Sequence, residues 1–274
     1  MNKFLLIVTD GADSQISGIQ YLLNSLWVNA ASGSAGWSVH ILTPERVTAE
    51  SLPQGAFPDA HIRSFPLGKY VDKYYIKFLL PKFIAAHCHE RDLILYLDYD
   101  HICWSDFQLP PLAENTIYLS SEIHALETIL TQSALESAFL LDRLSLHYNT
   151  SLIYTTAGVL MQMADQWAGC YSELSAYISS RYLEEVSFSC AALQCHIVLK
   201  PIQAKIQSNW ANIHQDAGLF HYGGEHKYSG VIKGFLAANG ISKWCSGNDA
   251  PGICQEMEIF EKICAAFVEY QPAG

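Results

Sequence analysis

Long apolar runs are absent from this chain of 274 residues: no stretch approaches the roughly 18 residues expected of a membrane span. The opening Phe4-Leu5-Leu6-Ile7-Val8 is stopped at Thr9-Asp10, too short a run for a signal peptide. It reads as the first strand of a soluble, cytoplasmic protein. Positive charge is scarce. Sixteen Lys and Arg stand against 27 Asp and Glu, and the net charge of −11 disfavours a nucleic-acid surface. The eight cysteines include no C-x-x-C pair, which excludes a zinc ribbon and a redox dithiol. Cys190 and Cys195 read as buried thiols, and His87-Cys88-His89 as a helix end. No G-x-G-x-x-G follows the first strand, so a dinucleotide cofactor is not expected. Repeats, low-complexity tracts and linkers are also missing, which leaves one domain as the expectation.

What is present is half hydrophobic and patterned as alternating strands and helices. Lys3 to Thr9 predicts a strand, Ser17 to Asn29 a helix with Ser17 as its cap, and Ser38 to Thr43 a second strand. This order implies a crossover and a parallel sheet. Pro53 to Pro66 reads as irregular. Asp72 to His87 reads as a helix kinked or divided at Pro81. Further strands are expected at Leu93–Leu97, Ile117–Ser120 and Ile197–Ile202, and helices at Ser133–Leu146, Asp165–Tyr182 and from Glu184 onward. Thr156-Ala157-Gly158 reads as a turn entering an apolar strand, small enough for a ligand to approach the backbone. Glu256 to Tyr270 is an amphipathic helix whose glutamates suit core or partner packing rather than anionic lipid.

The central stretch is Leu93-Ile94-Leu95-Tyr96-Leu97-Asp98-Tyr99-Asp100. A continuous apolar run suits a strand buried on both faces, and in open α/β sheets ligands bind beyond the carboxyl ends of such strands. Two carboxylates one residue apart could address one hard cation, Mg²⁺ or Mn²⁺, carrying a phosphate. Solvation of a turn is the plain alternative. An acidic protein that binds a diphosphate must offset charge locally, which a cation and placed lysines would do. Near the other end, Leu219-Phe220-His221-Tyr222-Gly223-Gly224-Glu225-His226-Lys227 sets a histidine, a glycine turn and a lysine in order. Lys77 is either a solvated helix lysine or a cation facing phosphate. Glu184-Glu185 is either an exposed helix start or a sugar-facing pair.

With these pieces in order, the chain resembles a GT-A glycosyltransferase of the glycosyltransferase family 8 type. Leu6 to Asp10 is similar to the opening strand whose acidic end meets the nucleotide base. Tyr75-Ile76-Lys77-Phe78-Leu79-Leu80-Pro81 looks like the family's Y-x-R-L-x-x-P helix, with Lys for Arg. Leu95 to Asp100 matches its D-x-D strand, and His221, Gly224 and Lys227 match H-x-x-G-x-x-K. The resemblance implies a single Rossmann-like α/β domain with a mostly parallel central sheet flanked by helices. Residues 1–120 would mainly bind nucleotide, and 121–274 would form the acceptor side and a C-terminal helix. It implies metal ligation by Asp98, Asp100 and His221, nucleotide or diphosphate contacts from Thr9, Asp10, Tyr99, Gly224 and Lys227, and an N-A-G-like sugar turn at Thr156, Ala157 and Gly158. Lys77 and Glu185 would act catalytically, with Glu184 against the sugar. The departures are Lys77, Thr156, Glu184-Glu185, and Tyr228-Ser229 after the lysine.

The function implied is Mn²⁺- or Mg²⁺-dependent transfer of a sugar from a UDP-sugar to an acceptor hydroxyl, with retention, the acceptor being unspecified. A non-catalytic UDP-sugar binder is the main alternative. A sugar nucleotidyltransferase is disfavoured because Asp10-Gly11-Ala12-Asp13 replaces the glycine- and basic-rich loop such enzymes place there.

Overall fold

The computed structural model describes residues 1–29, 36–47, 60–67, 75–103, 105–125, 146–178, 180–209 and 217–221. Strand β1 (Lys3–Val8) leads through α1 (Asp13–Asn29) to β2 (Ser38–Pro44), and β3 (His61–Phe65) follows. A 3₁₀ turn (Tyr75–Phe78) runs into α2 (Leu79–His87), then β4 (Leu93–Leu97), β5 (His101–Cys103) and β6 (Thr116–Leu119). A small pair, β7 (Ile123–Ala125) and β8 (Leu146–Tyr148), precedes β9 (Leu152–Thr156). Helices α3 (Ala157–Leu174) and α4 (Ser180–Gln194) are followed by β10 (Val198–Pro201), β11 (Gln207–Asn209) and β12 (Leu219–His221).

Seven strands form one sheet in the order β10-β6-β9-β4-β1-β2-β3. The β3, β2, β1 and β4 neighbours are parallel, as are β10 and β6. Among the described strands of this sheet only β9 is reversed, antiparallel to both β4 and β6. Side chains alternate between two cores. Leu6, Val8, Ile94 and Tyr96 face α2, α3 and α4, whereas Leu5, Ile7, Leu95 and Leu97 face α1. Burial on both faces is why β4 reads as an unbroken apolar run. Each fully buried Leu or Ile there contributes roughly 1.5–3 kcal/mol, so the carboxylates that follow leave a firmly held strand.

Several local expectations are corrected. Helix α1 begins at Asp13, so Ser17 lies inside it rather than capping it. The amide of Ile16 already donates to the Ala12 carbonyl. His61–Phe65 is a strand inside the stretch read as irregular; it lies at the sheet edge, where its exposed polar positions are tolerated. His101–Cys103 forms β5 and Gln207–Asn209 forms β11, two three-residue strands with no counterpart among the strands expected from the sequence. The apolar stretch after Gly158 is helix, not strand. Leu160, Met163, Trp167, Cys170, Tyr171 and Leu174 recur with helical period on its buried face. Pro81 falls in the first turn of α2, where its missing N–H costs nothing, and the division lies just ahead of it. The helices expected at 133–146 and 256–270 lie outside the described residues, apart from Leu146, which opens β8.

Candidate metal centre

Strand β4 ends at Leu97, and residues 98–100 turn the chain into β5. Strand alternation therefore does not set the two carboxylates side by side; the turn does. β5 pairs antiparallel with β12, and this register sets His221 opposite His101. Asp98, Asp100 and His221 each present a ligand atom, and these atoms lie within 4.8 Å of one another. His221 Nε2 is 3.3 Å from Asp100 Oδ1, and both residues are buried. Burial alone would lower the pKa of His221, but Asp100, Asp98 and Glu122 outweigh it and hold the imidazole above its ordinary value. Two carboxylates and one imidazole gathered this closely carry an excess of negative charge that a divalent cation would neutralise. The donor set fits Mn²⁺ or Mg²⁺.

Lys77 meets this cluster from the 3₁₀ turn. Its Nζ is 3.4 Å from Asp98 Oδ2 and 3.0 Å from Glu184 Oε2, and it donates to Thr150 Oγ1 at 2.9 Å. It is buried, not the solvated lysine of the simpler reading. Burial pulls its pKa down, yet Asp98, Glu184 and Glu185 together raise it, so the ammonium stays charged. The Tyr96 hydroxyl donates to Asp98 Oδ1, and the Lys77 ammonium lies 5.5 Å from the Tyr96 ring centroid. Both oxygens of Asp98 are thus held in place.

The paired glutamates of α4 are not an exposed helix start. Glu184 is fully buried; burial raises its carboxyl to about 7 against the opposing pull of Lys77 and Thr150. Thr150 Oγ1 donates to Glu184 Oε2 at 2.6 Å, while Glu184 Oε1 is buried with no hydrogen-bond partner among the described residues. Glu185 Oε1 accepts from Asn149 Nδ2 at 3.1 Å, and its Oε2 lies 3.1 Å from His147 Nδ1.

Thr9 and Asp10 sit at the carboxyl end of β1, which runs parallel to β4, so they share the Asp98 edge of the sheet. Thr9 Oγ1 donates to Gln15 Oε1 at 2.8 Å, and Asp10 Oδ1 accepts from the Ala12 amide at 3.1 Å. Tyr99 packs toward α1, where a Cβ on Gly18 would lie 2.7 Å from the Tyr99 carbonyl oxygen; only glycine permits that approach. Gly224 and Lys227 lie outside the described residues.

The sugar-turn expectation at Thr156, Ala157 and Gly158 is corrected. Because β9 runs against β4, Thr156 pairs with Leu93, at the opposite end of the sheet from Asp98. Thr156 caps α3, accepting from the Val159 amide at 3.4 Å. Gly158 packs on Glu90, where a Cβ would meet that carbonyl oxygen at 3.1 Å. The start of β9 lies at the site instead. The Asp98 amide donates to the Ser151 carbonyl at 2.8 Å, and Asn149 and Thr150 reach Glu185, Glu184 and Lys77. Sequence reasoning passed over Asn149-Thr150-Ser151, although three small polar residues directly before a buried apolar run were the available signal.

No family model matches this chain, and no curated protein matches it in sequence. Solved structures do match. Galactosyltransferase LgtC, determined with donor and acceptor sugar analogues, aligns with a TM-score of 0.60 at 11% identity, covering 90% of this chain and 97% of that one. The chain has the GT-A fold. Mouse xyloside xylosyltransferase 1 aligns with a TM-score of 0.52 at 11% identity, over 82% of this chain and 98% of that one. The glycosyltransferase GlyE of Streptococcus pneumoniae TIGR4 gives 0.55 at 12% identity, over 83% of this chain and 56% of that one. The GT-A neighbours named here are glycosyltransferases. At these identities the likeness establishes the fold, and the reaction is argued from the site.

Proposed function

We propose that this chain is a divalent-metal-dependent glycosyltransferase that moves a sugar from a UDP-sugar to an acceptor hydroxyl. The observation that carries this reading is the convergence of Asp98, Asp100 and His221 at the carboxyl edge of a GT-A sheet, with Lys77 against Asp98. These three side chains would hold Mn²⁺ or Mg²⁺. A bound ion would supply Lewis acidity, offsetting the charge that builds on the departing diphosphate. Lys77 contributes a second, fixed positive charge from within the protein. It is preorganised by Glu184 and Thr150, so it need not reorient as charge develops. Thr9, Asp10 and Tyr99 would meet the nucleotide, and Gly224 and Lys227 are assigned to its diphosphate on the H-x-x-G-x-x-K resemblance alone. Glu184 and Glu185 would accept from donor-sugar hydroxyls, with Glu185 the carboxylate acting in catalysis. Retention of configuration is the expectation from family 8.

The test is calorimetric binding of UDP with Mn²⁺ and with EDTA. Binding should require the metal, and Asp100→Ala should abolish that dependence while leaving the circular dichroism spectrum and the thermal transition in place. A folded Asp100→Ala protein that binds UDP with unchanged Mn²⁺ dependence would overturn the site assignment.

A further inference from the structure

Beneath the three ligand side chains lies a second layer of buried polar groups whose hydrogen bonds run in one direction. The rings of His101 and His221 stack, with centroids 4.8 Å apart and planes inclined by 20°. His101 Nδ1 lies 3.0 Å from the carbonyl oxygen of Asp98. A carbonyl only accepts, so the proton is on Nδ1 and Nε2 offers a lone pair. Gln207 Nε2 is 2.7 Å from that Nε2 and 3.4 Å from Ser151 Oγ. Gln207 Oε1 accepts from the Ser121 backbone amide at 3.0 Å. A backbone amide only donates, so the Gln207 carboxamide has one orientation, with both its N–H groups turned toward His101 and Ser151. Ser151 Oγ lies 3.4 Å from His221 Nδ1, and Glu122 Oε2 lies 3.8 Å from the same nitrogen.

We propose that Gln207 and Glu122 are positioning residues for the metal ligand His221; this rests on the metal site proposed above. Gln207 clamps His101 under the His221 ring and holds Ser151 at its edge, which fixes the ring plane. Ser151 Oγ receives the Nδ1–H of His221, and the negative charge of the Glu122 carboxylate, 3.8 Å away, favours the proton on that nitrogen. The proton is thereby kept on Nδ1, and the Nε2 lone pair is directed to the side where Asp100 Oδ1 stands. Neutral imidazole carries one proton between two nitrogens, so an acceptor on one side decides which nitrogen can ligate. Residues of this kind typically govern about 10–100-fold in metal affinity.

The test titrates the full chain with Mn²⁺ in the presence of UDP and reads free Mn²⁺ by electron paramagnetic resonance. Gln207→Leu and Glu122→Gln should each weaken Mn²⁺ binding by about 10–100-fold. Gln207→Glu, close in size, should fail equally, because a carboxylate cannot donate to His101 and Ser151. Imidazole ¹⁵N resonances of the metal-free protein should place the His101 proton on Nδ1 alone in the wild type, and in Gln207→Glu should show a proton on Nε2 as well, facing the carboxylate, while Nδ1 still donates to the Asp98 carbonyl. Unchanged Mn²⁺ affinity in folded Gln207→Glu and Glu122→Gln, beside a wild type that binds, would overturn the inference alone. A wild-type His101 protonated on Nε2 would do the same. A wild type that binds no Mn²⁺ would overturn the metal site itself.

Discussion

Lys77 ties the two halves of the site together: its ammonium is within 4 Å of both Asp98 and Glu184, in a buried setting. Removing one partner of such a group leaves uncompensated charge, which typically costs about 3–5 kcal/mol. Lys77→Met should therefore lower stability by about that amount in urea unfolding, whereas a change within 0.5 kcal/mol, as for a surface lysine, would contradict the assignment. Lys77 stays charged, so Glu184 is the partner that titrates near neutrality. Its carboxyl sits at about 7 in the fold against an ordinary 4.5. A raised carboxyl means the native state binds more protons across that interval, so its stabilising contribution is complete below about pH 4.5 and is lost as pH rises through about 7. Wild-type stability should fall with pH in this window more steeply than that of Glu184→Gln, as equilibrium unfolding at a series of pH values will show. Equal slopes would mean that Glu184 is not the titrating group.

At the scale of elements, helix α1 buttresses the turn that carries the carboxylates. A methyl group on Gly18 would lie 2.7 Å from both the carbonyl oxygen and Cδ2 of Tyr99. Gly18→Ala should cost about 1–3 kcal/mol through this overpacking, and it should also weaken Mn²⁺ binding, because Tyr99 sits between Asp98 and Asp100. Loss of stability with unaltered metal affinity would show that α1 supports the sheet but not the ligands. The central strand was legible in the sequence because burial on both faces writes an unbroken apolar run, and the carboxylates at its end are chemically conspicuous. The direction of β9 was not legible. An apolar strand reads alike in either direction, and only pairing decides whether residues 149–151 or 156–158 lie beside Asp98. Strands β3 and β5 were missed because one is an exposed edge and the other spans three residues, too short to show a period. Lys77 was legible as a candidate, but its burial was not, since that comes from Thr150 and Glu184, 73 and 107 residues further on.

Across the whole molecule, the two faces of the sheet divide the work. One core packs α1 and fixes the turn, and the other carries Tyr96, Lys77 and the glutamates of α4. The small sheet of β5, β11 and β12 sets His221 and Gln207 at the junction. In a chain of net charge −11, the site gathers Asp98, Asp100, Glu184 and Glu185 around one buried lysine, an arrangement suited to a cation and a neutral, hydroxyl-bearing sugar. The most direct measurement of the central claim is release of UDP from a panel of UDP-sugars, with Mn²⁺ and with EDTA, for the wild type and Asp100→Ala. The account predicts release from one donor above the rest, only with metal, and at least about 100-fold slower in Asp100→Ala, in line with losses on removing a transition-state electrostatic group. Release that persists in EDTA, or no release from any donor with Mn²⁺ present, would contradict it.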